Sequence, residues 1–156
     1  SMLVTDLVRA RRPDSRRLLV VLHGLGDSME GWRWLPDALE VDDLNYLLVN
    51  APDDYHGGYS WYDLYGDSGP GIRRSRELLF RLLDAQATAG FPPEQTSLLG
   101  FSQGCLMTLD VGFRYPSRLA GLVGISGSLV VAGLNIGSLS TFSPDLVSHR
   151  TVVGGN

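Results

Sequence analysis

The apolar positions fall into short runs separated by polar, Gly- and Pro-containing stretches. Leu3 to Val8 has strand composition, and Arg11-Arg12-Pro13-Asp14-Ser15 reads as a turn. Leu18-Leu19-Val20-Val21-Leu22 is an unbroken apolar run, the pattern of a strand buried on both faces. It runs into His23-Gly24-Leu25-Gly26-Asp27-Ser28, where Asp27 or Ser28 can cap a helix over about Trp32 to Leu39. Tyr46 to Val49 predicts the next strand and opens a long loop, Asn50 to Gly71. Pro70 suits a first helical turn. Ile72, Leu79, Leu82 and Leu83 then lie near one face of a helix that Gly90 and Pro92-Pro93 end. Thr96 to Gly100 predicts a strand, Gln103 to Tyr115 a helix stopped by Pro116, and Gly121 to Ile125 a further strand. Strand and helix alternate, so the expected fold class is α/β, a mostly parallel sheet with helices on both faces. The tail from Ser128 to Asn156 has weak periodicity and predicts no element.

The length of 156 residues sets the domain count at one, residues 1–156. A net charge of −4 argues against nucleic acid as a partner. The cluster Arg9, Arg11, Arg12, Arg16 and Arg17 is expected at a solvated hairpin tip. Cys105 is the only cysteine, which rules out an intrachain disulfide and suits a cytoplasmic location. No secretory signal is legible, and Ser1 before Met2 reads as a cleavage scar. No apolar run approaches the ~20 residues of a membrane span.

The chemistry concentrates at Gly100-Phe101-Ser102-Gln103-Gly104. A serine held between a strand and a helix sits on a tight turn that raises its hydroxyl, and the flanking glycines leave room for close backbone. This points to Ser102 as a nucleophile; an inert serine in a structural turn is the competing reading. Acyl transfer passes through an oxyanion that needs two donors. The N–H groups of Leu25 and Gln103 are the natural pair. The same Gly24-x-Gly26 loop admits a dinucleotide-binding reading, but Met29 stands where that fingerprint needs a small residue. His23, beside Gly24 at a strand end, reads as a structural hydrogen-bonding residue rather than a base. His56 reads as an exposed loop histidine.

Leu22-His23-Gly24-Leu25-Gly26-Asp27-Ser28, Ser60-Trp61-Tyr62-Asp63, the Ser102 pentapeptide and Gly124-Ile125-Ser126-Gly127 together resemble the phospholipase/carboxylesterase family of α/β-hydrolases, which includes acyl-protein thioesterases. The resemblance covers residues up to 127 and leaves 128–156 divergent. It implies hydrolysis of small acyl esters or thioesters, with no metal or organic cofactor. It also implies Ser102 as nucleophile, the Leu25 and Gln103 amides as oxyanion hole, and Trp61 and Tyr62 beside the acyl chain, where ordinary packing is the equal alternative.

The family's pattern then breaks. A serine needs a base, usually a histidine oriented by a carboxylate, and family members carry these on loops after two further strands. The residues after Gly127 are too few for two more strand–helix units, so the last strands are expected to be missing. Asp145 and His149 stand in the right order and can share a face if helical, giving a substitute acid–base pair. Asp110, within the nucleophile helix, is a poorer partner. A hydrolase-like fold without catalysis is the alternative function. Without successors, strand 121–125 becomes an apolar edge, from which a homodimer covering it is expected.

Overall fold

The computed structural model describes residues 2–126 and 129–133. In chain order it contains β1 (Thr5–Val8), β2 (Arg17–Leu22), α1 (Leu35–Leu39), β3 (Leu44–Val49), β4 (Asp53–Tyr55) and β5 (Gly58–Ser60). There follow α2 (Gly69–Thr88), β6 (Thr96–Phe101), α3 (Gln103–Arg114), β7 (Gly121–Ile125) and β8 (Leu129–Gly133). A six-stranded sheet runs β1-β3-β2-β6-β7-β8. Its four inner strands are parallel, and β1 and β8 lie antiparallel at the two edges.

The apolar run of β2 earns its central place by burial on both faces. Leu18, Val20 and Leu22 point into a core shared with Leu79, Leu82 and Leu83 of α2 and Met107 and Val111 of α3. Leu19 and Val21 point the other way, into a second core with Trp32, Leu35, Tyr46 and Leu48. Each such fully buried Leu or Val contributes about 1.5–3 kcal/mol of transfer free energy. Helices thus cover both faces of a mostly parallel sheet, as the alternation predicts.

Three expectations need correction. Arg11 to Ser15 is not a hairpin tip, because β3 lies between β1 and β2 and the segment crosses over its start. The arginines there are partly engaged: Arg11 pairs with Asp42 at 3.2 Å and Arg17 with Asp43 at 2.9 Å. Buried Asn45 closes the gap, accepting from the Ala10 N–H and donating to the carbonyls of Ser15 and Arg17. The helix expected over 32–39 is split into a 3-10 turn, Met29–Trp32, capped by the Ser28 hydroxyl, and the short α1. Pro36 is tolerated only in a first helical turn, so the helix restarts around it. Finally, the outer edge of β7 is not open. β8 pairs along it from Ile125↔Leu129 to Gly121↔Gly133. An antiparallel return needs only a tight connection, so few residues suffice where a parallel crossover would not fit.

Candidate active site

The sheet's carboxyl end brings together the loop after β2, the loop after β5 and the β6–α3 junction. At that junction Ser102 takes φ 58 and ψ −113, a conformation in which a side chain is strained. Its N–H donates to the Ile125 carbonyl at 2.8 Å, continuing the β6–β7 ladder through the turn. The glycines on either side are required by space. A Cβ on Gly100 would stand 2.0 Å from the Gly104 carbonyl oxygen, and one on Gly104 would stand 2.1 Å from that of Leu22. Gly24 lets the post-β2 loop close on the turn, since a Cβ there would lie 3.2 Å from the Ser102 Cβ. The result is an exposed serine at the mouth of a cleft of about 420 Å³, lined by Leu25, Tyr62, Leu64, Ser102, Leu106 and Leu109 among others.

Leu25 and Gln103 both line the same cleft. The Leu25 N–H has no acceptor among the described residues, whereas the next two amides are engaged: Gly26 N–H donates to the Tyr59 carbonyl and Asp27 N–H to that of Gly24. Gln103 is the first residue of α3, so its N–H has no partner within the helix and carries the positive end of the helix dipole. The β4–β5 hairpin steadies Leu25's loop. It turns at His56-Gly57, with φ of 46 and 85, and returns hydrogen bonds between Tyr59 and both Gly26 and Asp27. Gly58 permits that contact, because its Cβ would lie 1.9 Å from the Gly26 carbonyl oxygen.

His23 is fully buried, and both ring nitrogens are engaged. Nδ1 donates to the Gly24 carbonyl at 2.6 Å, and Nε2 accepts the Ala51 N–H at 3.0 Å. Burial pushes its pKa below the usual histidine value, outweighing the opposing pull of the Gly24 carbonyl and the Asp27 charge. A neutral ring committed in this way braces the loop and leaves no nitrogen for Ser102. His56 is exposed, packs edge-on against Tyr55 and is absent from the cleft lining. Asp110 turns toward α2, pairing with Arg76 at 2.7 Å and Arg114 at 3.1 Å, which makes it an interhelical anchor. Asp145 and His149 lie outside the described residues.

Tyr62 lines the cleft, but Trp61 does not. Trp61 is fully buried beneath it, its indole N–H donating to the His23 carbonyl at 2.8 Å, so its part is packing. Leu106 and Leu109 complete the wall. They follow Ser102 by one and two helical turns, a spacing that places them on the serine's side of α3. Leu64, in a loop without periodicity, carried no such signal. Burial pushes the Cys105 thiol up, so it stays protonated beside the serine. The dinucleotide reading loses its footing, since the Gly24–Gly26 loop leads into a 3-10 turn rather than an α-helix.

A mostly parallel sheet with helices on both faces and a strained serine at a strand-to-helix turn defines an α/β-hydrolase. Residues 5–149 match the phospholipase/carboxylesterase family, and the chain belongs to it. Acyl-protein thioesterase 1 of Schizosaccharomyces pombe is 34% identical over 149 residues, spanning 85% of this chain and 66% of that protein. The Kluyveromyces lactis protein of the same name is 31% identical over 77% of this chain and 60% of its own length. Among solved structures, esterase PE8 is similar at TM-score 0.66 and 30% identity, covering 78% of this chain and 62% of that one. The Bacillus cereus carboxylesterase shares the fold at TM-score 0.68 and 18% identity, covering 80% and 59%. The chain therefore spans roughly three-fifths to two-thirds of the length of these proteins. No helix among the described residues is long and apolar enough to cross a membrane.

Proposed function

We propose that the chain hydrolyses short acyl esters or thioesters through an acyl-enzyme on Ser102. The observation that carries this reading is the exposed Ser102, held at φ 58 by glycines that cannot be replaced without backbone collision, on a cleft shared with Leu25 and Gln103. In this reading Ser102 Oγ attacks the acyl carbon and loses its proton to a base. The carbonyl oxygen becomes an anion between the Leu25 and Gln103 N–H groups, and the alcohol or thiol leaves with a proton. Water then releases the acid. Tyr62, Leu64, Leu106 and Leu109 offer the acyl chain an apolar wall. The candidate acid–base pair is Asp145 and His149, which lie outside the described residues, and the lone Cys105 favours a cytoplasmic setting.

The engagement of His23 by its own loop, with His56 outside the cleft, favours a second reading: a hydrolase-like fold in which Ser102 has no base. Turnover of p-nitrophenyl butyrate separates the two. The catalytic reading expects the unaltered chain to exceed Ser102→Ala by at least about 10²-fold, with His149→Ala falling to the same floor. Equal rates for the unaltered chain and Ser102→Ala establish the second reading. A loss in Ser102→Ala but not in His149→Ala removes His149 alone.

A further inference from the structure

Gln103 is 3% exposed, and its side-chain amide is committed to the segment that carries Tyr62. Its Oε1 accepts the Trp61 N–H at 2.8 Å, and its Nε2 donates to the Tyr62 carbonyl at 2.7 Å. The orientation of the amide is fixed by these partners, because a backbone N–H can only donate and a carbonyl can only accept. The clamped segment is held from two further directions. The Ser60 hydroxyl donates to the Tyr62 carbonyl at 2.7 Å, and the Ser75 hydroxyl of α2 donates to the Trp61 carbonyl at 2.6 Å. One side chain therefore ties the residue after the serine to the segment bearing Tyr62, 41 positions away in sequence.

We infer that the Gln103 side chain is a positioning residue that locks the oxyanion-binding N–H and the Tyr62 wall of the cleft to one another. The inference rests on the hydrolase reading of Ser102. It goes beyond that reading because the donor itself is backbone: no substitution at 103 other than proline removes it, so any loss on changing the side chain is a loss of placement. The amide is also the only common side chain of this length that supplies both an acceptor and a neutral donor. Glu has the same shape, but its carboxylate sets an oxygen against the Tyr62 carbonyl until it is protonated.

The experiment measures kcat and KM on p-nitrophenyl butyrate for the unaltered chain, Gln103→Ala and Gln103→Glu, with Ser102→Ala as background. Hydrogen exchange of the Trp61 amide is followed on the same proteins. Gln103→Ala should lose at least about tenfold in kcat per folded molecule, less than the 10²–10³ of deleting a donor because the donor is displaced rather than removed. The Trp61 N–H should exchange at least about tenfold faster. The rate of Gln103→Glu relative to the unaltered chain should climb at least about fivefold between about pH 8 and pH 5.5, as the new carboxyl gains the proton it needs to donate. An unchanged kcat in Gln103→Ala, unchanged Trp61 exchange, or a pH-independent ratio for Gln103→Glu overturns the inference. If Gln103→Ala does not fold, the pH ratio decides. If the unaltered chain is no faster than Ser102→Ala, the hydrolase reading has failed instead, and Trp61 exchange alone decides whether the clamp exists.

Discussion

A proton added to His23 has no place to go without breaking the bond from the Ala51 N–H, since Nδ1 already donates to the Gly24 carbonyl. The pKa of the folded state is depressed by burial, so the unfolded chain binds the proton first as pH falls. Stability held by the neutral ring is complete above the unfolded value of 6.5 and is lost as pH drops from there toward the lower folded pKa. Each unit of depression contributes about 1.4 kcal/mol. Ion-paired carboxylates such as Glu30 and Asp43, held low by Arg33 and Arg17, lose their pairing only at more acid pH. Urea unfolding of the unaltered chain should therefore lose more stability between pH 7 and pH 5 than His23→Gln does. Parallel slopes for the two proteins would show that His23 does not carry the acid sensitivity. At this scale the sequence was partly legible. Gly100, Ser102 and Gly104 announce a turn through backbone sterics that act over five residues, and His23 beside Gly24 already suggested a structural ring. The side chains of Gln103 and Ser60 were not legible. Their partners lie across the sequence, and a polar residue's burial follows from packing that no local pattern encodes.

On the scale of elements, α3 serves three neighbours with different faces. Met107 and Val111 enter the core, Asp110 joins α2 through Arg76, Leu106 faces the cleft, and half-buried Leu109 both packs on the core and lines the cleft. The division explains why a helix was easy to foresee over this segment and its outward leucines were not. Hydrophobic periodicity assigns apolar residues to the core by default, yet Leu106 is 40% exposed. The loop before α2 shows the reverse. A stretch of Gly, Asp and aromatic residues predicts a loop, and the β4–β5 hairpin inside it is fixed by its docking against Gly26 and Asp27 rather than by its own propensity. If Leu106 forms part of the acyl wall, Leu106→Asp should lower the ratio of butyrate to acetate turnover. The expected fall is about three- to tenfold, under the 10–200-fold of an enclosed methylene site because the leucine is partly open to water. An unaltered ratio with reduced overall rates would place the acyl chain elsewhere.

For the whole molecule, the consequential fact is how the sheet ends among the described residues. Four parallel strands were foreseeable from alternation, but alternation says nothing of strand order, so both edges defied the simple reading: β1 skips past β2 to pair with β3, and β8 folds back on β7. The second return matters for association. β7 presents backbone groups that need partners, and β8 supplies them within the same chain, which takes away the reason for a second copy to add there. In an antiparallel pair the N–H groups of successive residues point alternately toward and away from the neighbour. Replacing Val130 and Val131 together by proline therefore removes at least one bond from the β7–β8 ladder, whichever residue faces inward. Light scattering should show that variant growing in mass with concentration, while the unaltered chain keeps the mass of one copy over the same range. A variant that stays single would mean that β7 is shielded by something other than β8. An unaltered chain already at twice its mass would move the contact outward, to the side of β8 away from β7, where the homodimer expected from an open sheet edge would then reside.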